Sequence, residues 1–578
     1  MTNSVVDTNL LIEYDWSKQV GTNANEGINS LAVDKDGSIY LAGWSNGNFE
    51  SQLNQGNSDG LISKYDEKGN HLWSKLIGNA LDTKINGIAI DTEGSVYITG
   101  STQGKIGETI HNGGYDAFIA KYTSDGEESW LNQVGSTSDD YSNDIAIFDD
   151  HVYITGKTQG NFDGQINQGS DANEFFVDSY NDIFITKYNI SGDKKWSKLI
   201  GNKEANVANA ITIADKDDIY ITGYTNGNID ENDTNDGWAD IFISKIDSEG
   251  NSIWTDQIAS DNGNAFGLDI THGKEGVYLT GYVGNGGVDQ QKSYGYHDIF
   301  VSKYNFDGNK QWTKQIGSNA DDEAEAITID SHDSVYITGR SGGAFSPSLD
   351  AGWGGSYIAK LSSKGNLDWA TQSGVGGFNY ANDIVFNNDS FVIAGDTAIG
   401  INGNGTIGES DIFISKLSGP DTTTPIINNP NYDPNIGYDQ FSINTPENSR
   451  YIYTFTANEP VTWELLPSPW GFEAEEVNYL TIDSSTGELS FIDTPDYENP
   501  FDPSNLDGNS EMNFDFIVEA TDIAGNSSEV TVEVVVSDVD ETKEIKPSFT
   551  YNLTTFDSEE SLDQLAVLGQ TVGDDLLG

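Results

Sequence analysis

With 578 residues the chain exceeds one ordinary core, so several domains or a repeat architecture are expected. Its 92 acidic residues against 28 lysines and arginines give a formal charge of −64, which argues against nucleic acid or an anionic membrane surface as partner. The same balance suits a very soluble protein and contact with a hard cation such as calcium. No cysteine is present, which removes disulfides, thiol catalysis and cysteine-ligated metal centres.

The chain starts "MTNSVVDTNLLIEYDW", without the basic start and apolar run of a signal peptide, so residues 1–13 read as a tail. No apolar stretch anywhere reaches the roughly 18 residues a membrane-spanning helix needs. A lone strand, "YDWSKQVG", follows from Tyr14. After it one unit recurs seven times. Tryptophans stand at Trp16, Trp73, Trp130, Trp196, Trp254, Trp312 and Trp369, between 57 and 66 residues apart.

Each unit carries the same four runs, as in "INSLAVD", "SIYLAG", "DGLISKY" and a glycine turn leading into the next tryptophan. The runs are short, rich in Ile, Val, Tyr, Phe and Thr, and bounded by Gly, Asn or Asp, which predicts strands. Apolar side chains occupy both faces: in "DIFITKY", Ile183 and Ile185 point one way while Phe184 and Tyr188 point the other. Small sheets that need cover on both faces can cover one another in a closed ring. The expected fold is therefore all-β, a seven-bladed β-propeller of four-stranded blades over residues 14–418. The seventh copy, "DIFISKL" at Asp411, has no tryptophan strand after it. Pairing with Tyr14 to Gly21 would complete it and remove two exposed strand edges.

Glycines at 69, 126, 192, 250, 308 and 365 fall at the same hairpin, where a positive φ is expected. The aspartate before the third run recurs in six of seven copies, with Gly355 the exception, and reads as a structural cap rather than a catalyst. "SVYITG", a glycine-bearing loop, "DIFISKY" and then tryptophan together resemble the bacterial SBBP propeller repeats. That resemblance implies the propeller fold and an extracytoplasmic setting, with no shared reaction.

No catalytic constellation is visible. The six histidines lack metal-ligand spacing and read as surface or hairpin residues, and two arginines, Arg340 and Arg450, cannot form an arginine cluster. Paired carboxylates could lie among the acids, but nothing marks a pair. The third unit alone is longer, its surplus lying between Asn161 and Phe184 on one rim.

Residues 419–440 form a proline- and asparagine-rich linker, and 441–541 read as a β-sandwich of short alternating strands. This segment resembles bacterial cadherin-like, Ig-like domains: "PEN", "DYE" and "DVDE" stand where cadherins carry calcium ligands. The resemblance implies calcium at Glu447, Asp496, Glu498, Asp538, Asp540 and Glu541. Carboxylates gathered from three strand ends would repel without a cation, which fits that role. The acidic tail 542–578 ends "GDDLLG", similar to a fragment of the calcium-binding repeats of type I-secreted proteins.

The expectation is a non-enzymatic extracellular or cell-surface adhesion protein. Its propeller would bind carbohydrate or protein, and calcium would stiffen the cadherin-like module. A secreted polysaccharide enzyme and a structural surface-assembly component are the alternatives.

Overall fold

The computed structural model describes residues 13–169, 181–214, 218–229, 239–260, 263–284, 286–289, 291, 293–343, 355–372, 379–387, 390–401, 405–418, 427–428, 440–457, 461–467, 479–495, 512–522 and 527–537. Most of the expected linker and all of the tail 542–578 lie outside them. The chain divides into two compact units, Met1–Asp421 and Thr422–Gly578. Among the described residues no helix is long and apolar enough to cross a membrane.

The first unit is propeller-like: its described residues form seven four-stranded antiparallel sheets. Sheet 1 runs through Glu26–Val33, Ile39–Ser45, Asp59–Tyr65 and His71–Ile77. Sheets 2 to 6 repeat this meander within 83–134, 140–200, 206–258, 265–316 and 322–372. Sheet 7 takes Asn379–Asn387, Ser390–Thr397 and Asp411–Ser418, and its outer strand is Glu13–Val20 from the start of the chain. There Trp16 lies opposite Lys416 and Val20 opposite Ile412. The lone first strand is thus the missing strand of the last sheet.

Apolar pattern explains the stacking. Ile39, Tyr40, Leu41 and Ala42 point alternately to the two faces of sheet 1 and all are buried. Tyr40, Ala42 and Ile62 share a core with Ile85, Ile98 and Phe118 of sheet 2, while Leu31, Leu41 and Leu61 share one with Val392, Ile412 and Ile414 of sheet 7. Sheet 7 therefore packs on sheet 1, and the ring closes.

The outer strands are tied by one repeated device. Trp16, Trp73, Trp130, Trp196, Trp254 and Trp312 each donate Nε1–H to a turn carbonyl of the next sheet at 3.1–3.4 Å. Each ring covers that turn's glycine, whose φ lies between 72° and 88°; a Cβ on Gly308 would sit 2.7 Å from the Trp254 ring. Glycine is needed there twice over, for backbone and for space. Trp369 has no such turn ahead of it, because the outer strand of sheet 7 comes from elsewhere.

The repeated aspartates are caps. Asp59, Asp116, Asp182, Asp240, Asp298 and Asp411 are fully buried at the starts of their strands. Asp59, Asp116, Asp298 and Asp411 each accept the backbone N–H of the residue four before, at 2.7–2.8 Å.

In the second unit Gln440–Pro446, Ser527–Ser537, Met512–Asp522 and Val461–Pro467 form a four-stranded sheet, with one parallel pair at its edge. Tyr451–Thr454, Glu488–Phe491 and Leu480–Ile482 form a three-stranded sheet. The two enclose one core around Trp463, Phe455, Phe491, Phe514 and Phe516.

Candidate functional site at the mouth of the ring

The first strand of every sheet carries a β-bulge at its middle, and the seven residues skipped in the pairing are Asn29, Asn86, Asn143, Asn209, Leu268, Glu325 and Asn382. A bulge re-aims one side chain. Here it lets each asparagine reach the next sheet: Asn29 donates to Ile85 O, Asn86 to Ser142 O, Asn143 to Ala208 O, Asn209 to Gly267 O and Asn382 to Ile28 O, at 2.6–2.8 Å. Leu268 and Glu325 cannot make this bond as an amide does. The inner clasp is interrupted at sheets 5 and 6.

One residue further, three sheets place an aspartate. Asp144, Asp269 and Asp383 accept the backbone N–H groups of Ile211, Ile327 and Leu31 of the following sheets at 2.7–2.8 Å. Burial pushes Asp144 up to about 7 and Asp383 up to about 6, and Asp269 well above the usual carboxylate range, the last helped by the charges of the other two. Groups on sheets 3, 5 and 7 sense one another only across the centre of the ring.

Two residues before the bulge lies a set of seven cross-strand pairs: Gly27–Trp44, Lys84–Ser101, Tyr141–Lys157, Val207–Tyr224, Phe266–Tyr282, Glu323–Arg340 and Tyr380–Asp396. No two are alike. The position just before the paired residue on the second strand is the opposite case, glycine in all seven sheets: Gly43, Gly100, Gly156, Gly223, Gly281, Gly339 and Gly395. A Cβ on any of them would come within 1.8–2.1 Å of the mouth residue's carbonyl oxygen. The backbone is held identical while the side chains vary.

The varied pairs form a belt of aromatic and charged groups. Tyr224, Phe266, Tyr282 and His297 follow one another at ring distances of 4.9, 5.1 and 4.8 Å. Lys84 lies over Trp44 at 4.6 Å and Arg340 over Tyr380 at 5.6 Å. Tyr294 and Tyr296, 51 % and 68 % exposed, stand in the loop leading to His297.

Next to the broken clasp the belt opens into a cavity of about 490 Å³ lined by Asn29, Leu268, Glu323, Glu325, Arg340, Tyr380, Asn382 and Asp396. Sheets 1 and 5 both contribute and are not neighbours, so the cavity is central. Arg340 donates Nε–H and Nη2–H to the two oxygens of Glu323 at 2.8 and 2.5 Å, and His297 Nδ1 is 2.6 Å from Glu323 Oε1. Burial would raise the Glu323 carboxyl, but Arg340 and His297 outweigh it and hold it below its usual value. Burial and the charge of Glu323 push Glu325 up to about 7, and burial carries Asp396 up to about 6.

Sequence reasoning missed this site. It placed His297 among surface histidines and gave Arg340 no role, yet both sit at the mouth. The available signal was the column two residues before the bulge, which holds six residue types in seven copies and stands between positions that repeat.

Of the expected calcium residues only Glu447 is described, and it is buried. Its N–H donates to Ser537 O at 3.0 Å, and that of Asn448, at φ 66°, donates to Pro495 O at 2.9 Å. Asp496, Glu498, Asp538, Asp540 and Glu541 lie outside the described residues. The described residues contain no group of three metal-ligating side chains. The surplus of the third unit is described only in part; Ile166 at its start is 72 % exposed.

Residues 15–50, 72–108, 195–230 and 311–345 match the SBBP beta-propeller repeat. The match starts one strand ahead of each sheet, the phase offset that makes the first strand of the chain the last strand of the ring. The regulatory protein FlaEY of Caulobacter vibrioides is 24 % identical over 172 residues, which are 26 % of this chain and 18 % of that protein. An uncharacterized WD repeat-containing protein of Acanthamoeba polyphaga mimivirus is 22 % identical over 66 % of this chain and 36 % of its own length. The chain thus spans well under half of either relative. Among solved structures, the WD40 propeller domain of Doa1 aligns with 70 % of this chain and 97 % of its own at 8 % identity and a TM-score of 0.35. The chain carries SBBP beta-propeller repeats in an all-β, propeller-like fold.

Proposed function

We propose that residues 14–418 form a seven-bladed propeller that binds carbohydrate at this mouth, in a non-enzymatic adhesion protein working outside the cell or at its surface. One observation carries the reading: a ring of seven equivalent cross-strand pairs, each a different combination of side chains, surrounds a polar cavity and is rich in aromatic rings. Half-buried aromatic faces suit sugar rings, and Asn29, Asn382, Glu325 and Asp396 offer amide and carboxyl groups to hydroxyls. The test is calorimetric titration of the whole chain with an oligosaccharide panel, expecting binding that Tyr380→Ala weakens. A panel without binders removes the reading.

The second unit acts in this reading as a cadherin-like module that calcium stiffens through Glu447, Asp496, Glu498, Asp538, Asp540 and Glu541. The two backbone bonds support it, since they bring Glu447 and Asn448 to the residues immediately before Asp538 and Asp496. Calcium should raise the melting midpoint, and Glu447→Gln or Glu498→Ala should reduce the rise. Unchanged midpoints would remove calcium from the account.

A second reading, a polysaccharide-cleaving enzyme, is favoured by Glu323 and Glu325, whose environments push their carboxyls in opposite directions, as a base and an acid require. Turnover of a bound glycan, lost in Glu325→Gln with binding retained, would establish it.

A further inference from the structure

The cavity holds more carboxyl groups than cations. Its one arginine is committed: Arg340 spends Nε–H and Nη2–H on Glu323, and its guanidinium lies over Tyr380. Glu323 also has His297 at its Oε1. Asp396 is engaged as well, accepting Ile28 N–H at 2.9 Å and Asn382 Nδ2–H at 3.1 Å. Glu325 is left. It lines the cavity at a place where five sheets carry a bonded asparagine, and it has no hydrogen-bond or ion-pair partner among the described residues. Asp144, Asp269 and Asp383 add three more carboxyls along the ring's centre, each bonded to backbone N–H groups and none to a cation.

We infer that the group entering this cavity is an ammonium set against Glu325, and that the ligand is a glycan of amino sugars with free amines. This rests on the carbohydrate reading and narrows it. A uronate or sulfated sugar would bring its charge against Glu325 and Asp396, in a chain of net charge −64. A neutral sugar would find hydrogen bonds but leave Glu325 unanswered. An ammonium answers that charge, and Tyr380 in the cavity wall supplies an aromatic ring for the sugar to pack against.

The experiment titrates the full chain with a glucosamine oligomer, its N-acetylated counterpart and the matching glucose oligomer. The glucosamine oligomer should bind at least about tenfold more tightly than either neutral one, a preference that raised salt reduces. Glu325→Gln should abolish the preference, bringing the glucosamine oligomer down to the affinity of the neutral oligomers for the same variant. Glu325→Asn should do the same with an unaltered melting midpoint, since it installs the residue that five other sheets carry. Equal affinity for all three oligomers, or a preference that survives both substitutions, overturns the ammonium site and leaves the carbohydrate reading standing. Failure of all three to bind overturns both.

Discussion

The outer edge and the inner mouth of the ring obey opposite rules. At the edge, six tryptophans lie on six turn glycines with the same hydrogen bond and nearly the same φ. At the mouth, seven backbone-equivalent pairs carry seven different side-chain combinations. Copies of one unit drift unless packing holds each position. The edge is held because a side chain there is half of a sheet-to-sheet joint. At the mouth side chains also meet the next sheet, Tyr224 at Phe266 and Arg340 at Tyr380, but no one contact repeats around the ring, and in the proposed reading what the mouth carries answers to a ligand.

Breaking the edge should have the largest effect. Trp254→Ala removes a ring packed on Gly308 and a bond to Phe306 O, and should lower stability by about 3–5 kcal/mol in denaturant titration. Trp369→Ala is the matched control. Trp369 packs against Tyr336 but has no turn ahead of it, so its loss should cost about 1 kcal/mol less. Equal costs would mean that the turn contact contributes little and that the edge repeats for some other reason.

That edge was legible because its signals are local and recurrent. Tryptophan spacing, "YITG" and the turn glycines state the unit, and one missing tryptophan strand states how the ring closes. The mouth was not legible. Its pairs repeat no combination of side chains, and the bulge at Asn29 shifts by one position the register that strand alternation would predict. Arg340 and Glu323 meet only because the second strand returns beside the first, so neither looks special alone. In the second unit the motif order singled out six residues, of which Glu447 is described; Asp496 and Glu498, between two strands, and Asp538, Asp540 and Glu541, after the last described strand, fall outside the described residues.

At the mouth the balance between stability and binding should invert. Tyr282 is half-buried between Phe266 and His297, on a backbone fixed by Gly281. Tyr282→Ala should leave the melting midpoint close to wild type, yet weaken glycan binding about tenfold, near 1.4 kcal/mol. A large fall in stability with unchanged affinity would make the belt another packing device and erase the contrast with the edge.

The smallest effect is expected where the two regimes meet, at the closing seam. In sheets 1 to 6 a buried tyrosine (Tyr40, Tyr97, Tyr153, Tyr220, Tyr278 or Tyr336) lies under a lysine Nζ 4.7–5.4 Å from its ring. Sheet 7 has Val392 in that register, opposite Lys416. Lys416 turns instead to Glu67 at 3.0 Å, and a cavity of about 130 Å³ remains beside Val33, Ile39, Val392 and Asn387. Val392→Tyr should fill it, return a ring beneath Lys416 and raise stability by about 1 kcal/mol, read as a higher melting midpoint. A gain of this size would mean that the seam is under-packed relative to the other joints, and that the borrowed strand is where the ring opens most readily. A loss would mean that sheet 7 has settled its backbone around valine, and that the repeat is enforced joint by joint rather than around the whole ring.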